Sequence, residues 1–187
     1  RVSRLIGGTT FFAFDTGIAS GSSEEDGGLS RLGECAILLR ASALSPPIEK
    51  ALKDHGIPFH LIGEKPWRDE ESVYVDAVSI LTIHSAKGLE FDHVFVAGLE
   101  EGILPFTLYD DPREESAPRI EEEKRLLYVA MTRARIGLYL SWAKTRMFQG
   151  RKLERGPSRF LETLESLVPL EKEKMPLRER DMQLRLF

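Results

Sequence analysis

Residues 82–91, with the sequence TIHSAKGLEF, hold the densest group of side chains that could do chemistry. A histidine (His84), a lysine (Lys87) and a carboxylate (Glu90) lie within seven residues, separated by small residues that include Gly88. Small residues let backbone N–H groups approach a phosphate closely. The same pattern also fits a capped turn with a lysine stem lying along the surface. Spacing alone leaves both interpretations open.

A second candidate segment is residues 121–135, with the sequence EEEKRLLYVAMTRAR. At helical spacing Leu126, Leu127 and Ala130 form an apolar face of the ordinary core type. Arg133 emerges at the C-terminal end of this face. A guanidinium held there could point rigidly at a phosphate in a neighbouring domain. It could equally complement the helix dipole, and spacing does not decide between the two roles.

Apolar runs and helical patterns alternate around both segments, and they must position these side chains. The predicted strands are residues 9–14, 35–39, 57–62, 78–83, 93–97 and 138–142. The predicted helices are residues 45–55, 120–133 and 158–167. This alternation predicts an α/β domain with a mostly parallel sheet and helices on both faces. Functional loops in such sheets follow the carboxyl ends of strands, where residues 84–90 and Arg40 are expected.

Composition narrows the class of protein. The chain has 187 residues, 42% hydrophobic and 30% charged, which is the balance of one globular domain. A net charge of −4 argues against a uniformly basic coat for nucleic acid but leaves room for a local cationic groove. No apolar run of about 18 residues predicts a membrane span, and no signal-peptide core is present. We therefore expect a cytoplasmic protein with no membrane partner.

The histidines and the single cysteine offer little other chemistry. Cys35 has no partner for an internal disulfide, and its apolar neighbours predict a small core residue. The four histidines lack the paired spacing of metal ligands, so no metal site is predicted. No serine or cysteine constellation for nucleophilic catalysis is visible either.

Together, the two candidate segments resemble the fifth and sixth signature motifs of superfamily 1 DNA helicases of the UvrD/Rep/PcrA type. Residues 36–40 (AILLR), 94–105 (VFVAGLEEGILP) and 157–161 (PSRFL) also look like that family, so the resemblance covers roughly residues 9–167. It implies a RecA-like, P-loop NTPase-like C-terminal motor domain, the second of two that grip ATP between them. Family members act in DNA repair, replication restart and recombination.

For the nucleotide side, the resemblance implies roles at four positions. Arg133 matches the arginine finger that reaches the γ-phosphate of ATP bound to the N-terminal RecA-like domain. Glu90 matches the acid that accepts from the ATP ribose, and Gly88 lies in the same nucleotide-facing loop. Lys87, in that loop, could serve the nucleotide side or the strand side. The cofactor implied is ATP with Mg²⁺, whose ligands are expected on the partner domain. An arginine finger typically raises the rate of turnover roughly 10³–10⁵-fold.

For single-stranded DNA, the resemblance implies a second set of residues. Arg40 corresponds to a contact to the DNA backbone, and His84 to a position that links the strand to the ATP site. Phe148 corresponds to an aromatic on which a base can stack. Ser42 and Phe106 stand where relatives often have asparagine and histidine, so the strand contacts differ in detail. Arg40 and Phe148 could instead be a solvated charge and ordinary packing.

The chain departs from the family in its organisation. We expect residues 1–168 to form the motor domain. Relatives insert an accessory domain where only the connector 63–77 stands here, so that domain is absent or trimmed. No Gly-x-x-x-x-Gly-Lys-Ser/Thr phosphate loop occurs. The full-length protein is therefore expected to be an ATP-dependent DNA helicase, with this chain alone inactive. The alternative is a non-catalytic module that binds DNA or a clamp.

The last residues form a separate feature. Residues 169–187 are predicted to be a charged, flexible tail. Its tip carries Gln183, Leu184, Leu186 and Phe187, and resembles the short peptide by which bacterial proteins dock into the replication sliding clamp. The alternative is an amphipathic end that folds back on its own domain.

Overall fold

The computed structural model describes residues 9–15, 31–63, 76–107, 116–148, 150–167 and 171–174. The strands are β1 (Thr9–Asp15), β2 (Cys35–Leu39), β3 (Phe59–Ile62), β4 (Val78–Thr82), β5 (Phe91–Ala97), β6 (Ala134–Ala143), β7 (Thr145–Phe148), β8 (Arg151–Glu154) and β9 (Glu171–Lys174). The helices are α1 (Ser45–Asp54), α2 (Ala117–Met131) and α3 (Arg159–Leu167).

Seven strands form one sheet in the order β3-β4-β2-β5-β6-β1-β9. The five strands from β3 to β6 in that order run parallel, and β1 pairs antiparallel with both β6 and β9. Strands β7 and β8 form a separate hairpin. The predicted α/β class with a mostly parallel sheet is confirmed.

Both faces of the sheet are covered, as predicted. On one face Leu38, Val96 and Leu140 pack with α2 and α3 through Leu127 and Leu161. On the other face a second cluster joins α1 and the β7–β8 hairpin to the sheet. That cluster includes Ile37, Leu39, Ile48, Leu52, Ile80, Phe95 and Phe148. A central strand covered on both sides needs apolar residues at every position, and all five residues of β2 are buried.

Cys35 begins this central strand and is confirmed as a core residue. Its side chain is fully buried, and burial raises the pKa of the thiol to about 12. The raised pKa keeps the thiol protonated at neutral pH, so it packs as a small apolar group.

Several predicted boundaries differ from the observed ones. Helix α2 begins three residues earlier, with Pro118 in its first turn where its missing N–H costs nothing. The same helix ends at Met131, so Arg133 lies in the turn beyond it. The β7–β8 hairpin was not predicted. The tail was predicted to begin at residue 169, but Glu171–Lys174 pairs with β1. Most of the connector, residues 64–75, and the tip, residues 175–187, lie outside the described residues.

Gly137 on β6 gives one test of this packing. A Cβ at this position would lie 2.6 Å from His93 Nδ1 and 3.1 Å from a ring atom of Tyr139. Both rings would have to move, so Gly137→Ala is expected to destabilise the fold by about 1–3 kcal/mol in urea unfolding. Gly156→Ala is the control, because a Cβ there meets no heavy atom within 4 Å. Equal stability of the two variants contradicts the packing at Gly137.

Candidate functional site

Residues 83–90, the crossing segment, run from the carboxyl end of β4 back to the amino end of β5. We call the side of the sheet where the parallel strands end the carboxyl edge, and the side where they begin the amino edge. Thr82 at the end of β4 pairs with Leu39, which pairs with Ala97 at the end of β5. Phe91 begins β5 six residues before Ala97, so the two edges are about 20 Å apart along the strands. The expectation that all of residues 84–90 lie at the carboxyl edge is therefore wrong. His84 follows the carboxyl end of β4, whereas Glu90 immediately precedes the amino end of β5.

The crossing segment is a series of tight turns anchored by one residue. Ala86 is fully buried in the core, and its N–H donates to Thr82 O at 3.1 Å. The N–H of Ser85 donates to Thr82 Oγ1 at 3.2 Å, so the segment is a capped turn. Gly88 has a φ of 85°, a backbone conformation that favours glycine. With Ala86 fixed inward, the side chains of His84, Lys87 and Glu90 are left exposed.

Arg133 lies at the amino edge and is joined directly to this segment. Its Nη1–H donates to Leu89 O at 3.1 Å, and the Phe91 N–H donates to Arg133 O at 2.9 Å. The guanidinium also donates from Nε to Val129 O at 3.1 Å and from Nη2 to Thr132 Oγ1 at 3.2 Å. All three acceptors are neutral. Within the described ranges no carboxylate lies within 4.0 Å of Arg133, so its charge is held in place without being neutralised.

At the carboxyl edge, Arg40 meets a buried acid. Its Nε–H and Nη2–H donate to Glu123 Oε2 and Oε1 at 2.9 and 2.7 Å. Glu123 is 3% exposed and Arg40 is 16% exposed. The Phe106 N–H donates to Glu123 Oε2 at 3.1 Å, and the guanidinium carbon lies 5.3 Å from the centre of the Phe106 ring. Arg40 and Phe106, both predicted to contact DNA, are therefore brought together around one carboxylate.

Ser42 lies beside this group and is exposed. It lines a cavity of about 140 Å³ at the carboxyl ends of β2, β3 and β4, together with the Thr82 and Ser85 hydroxyls. Strand β2 ends next to the crossing segment, because the Ile83 N–H donates to Leu39 O at 2.9 Å. The predicted DNA residues that follow β2 and β4 thus share one edge of the sheet.

Phe148 does not share that arrangement. Its side chain is 6% exposed and packs in the cluster on the α1 face of the sheet. Stacking with a base requires an open aromatic face, so the predicted stacking role is not compatible with this packing. The residue forms part of the core because the β7–β8 hairpin folds against the sheet.

Two buried acids were missed in the sequence. Glu123 belongs to a run of three glutamates whose other members, Glu121 and Glu122, are exposed. Glu100 is fully buried and accepts from Arg146 Nη2 at 2.6 Å and from the Ala143 N–H at 2.8 Å. A glutamate next to the apolar run of β5 was the available signal for Glu100. Nothing local distinguished Glu123 from its neighbours.

Two further kinds of feature, a metal-binding cluster and a membrane-spanning helix, are absent from the described residues. Over the described residues, no three His, Cys, Asp or Glu side chains come together in a way that could hold a metal ion. No helix among them is both long enough and apolar enough to cross a membrane.

A family match covers the stretch that holds most of this site. Residues 65–145 match the model of the UvrD-like helicase C-terminal domain. This stretch is therefore similar to the C-terminal domain of UvrD-like helicases. It includes the crossing segment, Glu123 and Arg133, while Arg40, Ser42 and Phe148 lie outside it. The predicted resemblance to UvrD/Rep/PcrA helicases is confirmed.

Known proteins similar to this chain are much longer. DNA helicase II of Escherichia coli K12 is 45% identical over 92 residues, 49% of this chain and 12% of that protein. The ATP-dependent DNA helicase UvrD2 of Mycobacterium tuberculosis H37Rv is 51% identical over 89 residues, 46% of this chain and 12% of that protein. A solved C-terminal domain of a possible DNA helicase from Lactobacillus plantarum WCFS1 aligns with a TM-score of 0.38 and 27% identity, over 59% of this chain and 55% of that one.

Proposed function

We propose that this chain is the second motor domain of an ATP-dependent DNA helicase or translocase, and that Arg133 is its arginine finger. The supporting observation is that the Arg133 guanidinium is held by three neutral acceptors at the amino edge. An arginine that is always charged and already ordered can stabilise charge on a transferring phosphoryl group. The ATP it serves is bound by the N-terminal RecA-like domain.

Three further residues fit the nucleotide side of this proposal. Glu90 is exposed and follows Leu89, whose carbonyl oxygen accepts from Arg133, so its carboxylate can accept from a ribose hydroxyl close to the finger. A Cβ at Gly88 would meet no heavy atom within 4 Å, which leaves the backbone open to a ligand. Lys87 is exposed in the same turn. The Mg²⁺ that accompanies ATP is assigned to ligands on the partner domain.

The opposite edge supplies part of the single-stranded DNA track. The bonds from Arg40 to Glu123 use two of the five N–H groups of a guanidinium, so three remain for a DNA phosphate. Ser42 and His84 are exposed at the same edge and can add polar contacts to the DNA backbone. Phe106, next to Arg40, offers a partly exposed ring. Phe148 is left out of this track because of its burial.

The deciding experiment measures ATP turnover and strand separation by the full-length parent, with and without single-stranded DNA. We expect turnover that DNA stimulates, and no turnover by the 187-residue chain alone, because its sequence contains no phosphate loop. Turnover by the purified chain, free of contaminating ATPase, contradicts the proposal that a separate N-terminal domain binds the ATP.

The second candidate function is a helicase-like module that binds DNA or a sliding clamp without hydrolysing ATP. A phosphate loop elsewhere in the parent protein would favour the motor over this alternative. A parent protein that binds single-stranded DNA but hydrolyses no ATP would establish this alternative in place of the motor.

The C-terminal tip carries a separate proposal, which concerns residues outside the described ranges. We expect deletion of residues 183–187 to abolish capture of the parent by a bacterial sliding clamp, because Gln183, Leu184, Leu186 and Phe187 are the side chains that would fill its apolar groove. Arg185→Ala is the matched control, since that position is the variable one of the peptide pattern. Clamp binding by the deletion variant equal to that of the intact protein rules out this partner.

A further inference from the structure

The buried carboxylate of Glu123 joins helix α2 to the carboxyl edge of the sheet, where the proposed DNA-binding residues lie. Glu123 accepts two hydrogen bonds from Arg40, at the carboxyl end of β2, and one from the backbone of Phe106. These contacts are made by the first half of a helix whose far end leads into Arg133. Glu123 is therefore the described contact through which the proposed strand residues hold the helix that carries the proposed finger.

Helix α2 is long enough to connect the two edges. Its 15 residues span about 22 Å at 1.5 Å per residue, close to the height of the sheet. Leu127 and Ala130 are buried against the sheet, so the second half of the helix is part of the packed core. Its C-terminal carbonyl groups hold Arg133 directly, since Val129 O accepts from Arg133 Nε. The helix therefore provides a continuous connection from Glu123 to the guanidinium.

A DNA phosphate and Glu123 are rivals for the same cation. Both are anions that bind the Arg40 guanidinium, and a phosphate drawn to its remaining N–H groups weakens the hold on the carboxylate. Two ligands of one group have linked binding free energies, and the linkage is reciprocal. Any change in the Arg40–Glu123 bonds on DNA binding would act directly on α2, because Glu123 belongs to that helix.

We propose that Glu123 is a positioning residue that couples occupancy of the DNA track at Arg40 to the placement of Arg133. The inference rests on the proposed motor function and adds the route by which DNA stimulates ATP turnover. It assigns to Glu123 no contact with either DNA or ATP.

The chain offers a matched control in its other buried glutamate–arginine pair. Glu100 is fully buried and binds Arg146 through Nε at 2.9 Å and Nη2 at 2.6 Å, in the same side-on geometry. That pair joins the end of β5 to β7, and among the described residues its side-chain hydrogen bonds do not involve α2. Neutralising either glutamate leaves a partly buried arginine without its counter-ion, so general loss of stability is common to both variants.

The test compares Glu123→Gln with Glu100→Gln in the full-length parent. The measured quantity is the ratio of ATP turnover with saturating oligo-dT to turnover without DNA, with melting temperatures recorded alongside. We expect Glu123→Gln to lower the ratio about fivefold or more, within the usual range of allosteric coupling. Glu100→Gln is expected to keep the wild-type ratio although its melting temperature falls.

Each outcome decides the question. A wild-type ratio in Glu123→Gln overturns the coupling while leaving the motor function standing. A wild-type parent that DNA does not stimulate overturns both. A ratio that falls equally in both variants overturns the special role of Glu123. If Glu123→Gln does not fold, Glu123→Asp decides, because its shorter side chain cannot reach Arg40 and the Phe106 N–H together. An unchanged ratio in Glu123→Asp also overturns the proposal.

Discussion

Replacing Arg133 by alanine in the full-length parent is expected to lower DNA-stimulated ATP turnover about 10³-fold or more, with ATP binding retained. The guanidinium is held by Val129 O, Leu89 O and Thr132 Oγ1, and none of these acceptors neutralises it. Its full charge is therefore available to the transition state, where charge builds up on the transferring phosphoryl group. Alanine removes this interaction and leaves the turn intact, so the loss is expected in kcat rather than in binding of ATP.

The control for this prediction is Arg135→Ala. Arg135 lies two residues further on, has a side chain that is 64% exposed, and approaches Asp92 only to 3.6 Å. Its removal subtracts the same charge from the same surface, so turnover is expected to stay within about threefold of wild type. Arg133→Lys is expected to stay low, because an ammonium lacks the planar fork of donors. Equal losses in the Arg133 and Arg135 variants would reduce the effect to net charge.

Replacing Arg146 by methionine is expected to cost about 3–5 kcal/mol of the free energy of unfolding. Arg146 is 13% exposed and is the counter-ion of Glu100, which is fully buried. Methionine fills much of the space but supplies no charge, so Glu100 would be left as an unpaired ion in the core. The Ala143 N–H, at 2.8 Å, is the one hydrogen bond to the Glu100 carboxylate left in the described structure.

Urea unfolding of the single and double variants measures this cost. The double variant Glu100→Leu with Arg146→Met is expected to recover most of the loss, since a buried pair replaced by apolar groups is often close to neutral. Lys50→Ala is the reference for an exposed pair: Lys50 and Asp54 are 76% and 55% exposed, and the cost should lie below about 1 kcal/mol. A single Arg146 variant as stable as Lys50→Ala would show that the pair does not hold the hairpin in place.

The core of the fold was predictable from local pattern. Cys35–Leu39 is apolar at every position because a central parallel strand is buried on both faces, and the observed strand has the predicted bounds. Alternation of such runs with helical patterns predicted the sheet with helices on both faces. The same local reading located the two segments that carry the candidate nucleotide residues, since their residue types are visible without any contact map.

Contacts between residues far apart in the sequence were not predictable in this way. Glu123 stands in a run of three acids that reads as a solvated face, and only the position of α2 over Arg40 turns one of them inward. Phe148 suits an aromatic stacking platform by type, yet the unpredicted hairpin places it in the core. In both cases the side chain is buried by an element that is distant in the sequence, and the local spacing of residues does not predict that contact.

The sequence by itself determined the α/β class, the resemblance to UvrD-like helicases and the residue types available for phosphate chemistry, because these follow from hydrophobic period and from two long motifs. The tertiary structure alone decided where those residues act. Strand register separates His84 from Glu90 across the height of the sheet and joins Leu89 to Arg133 at one edge. The packing of α2 on the sheet pairs Arg40 with Glu123 at the other edge. Register and crossover are set by packing between distant segments, so the two edges emerge only when the chain folds.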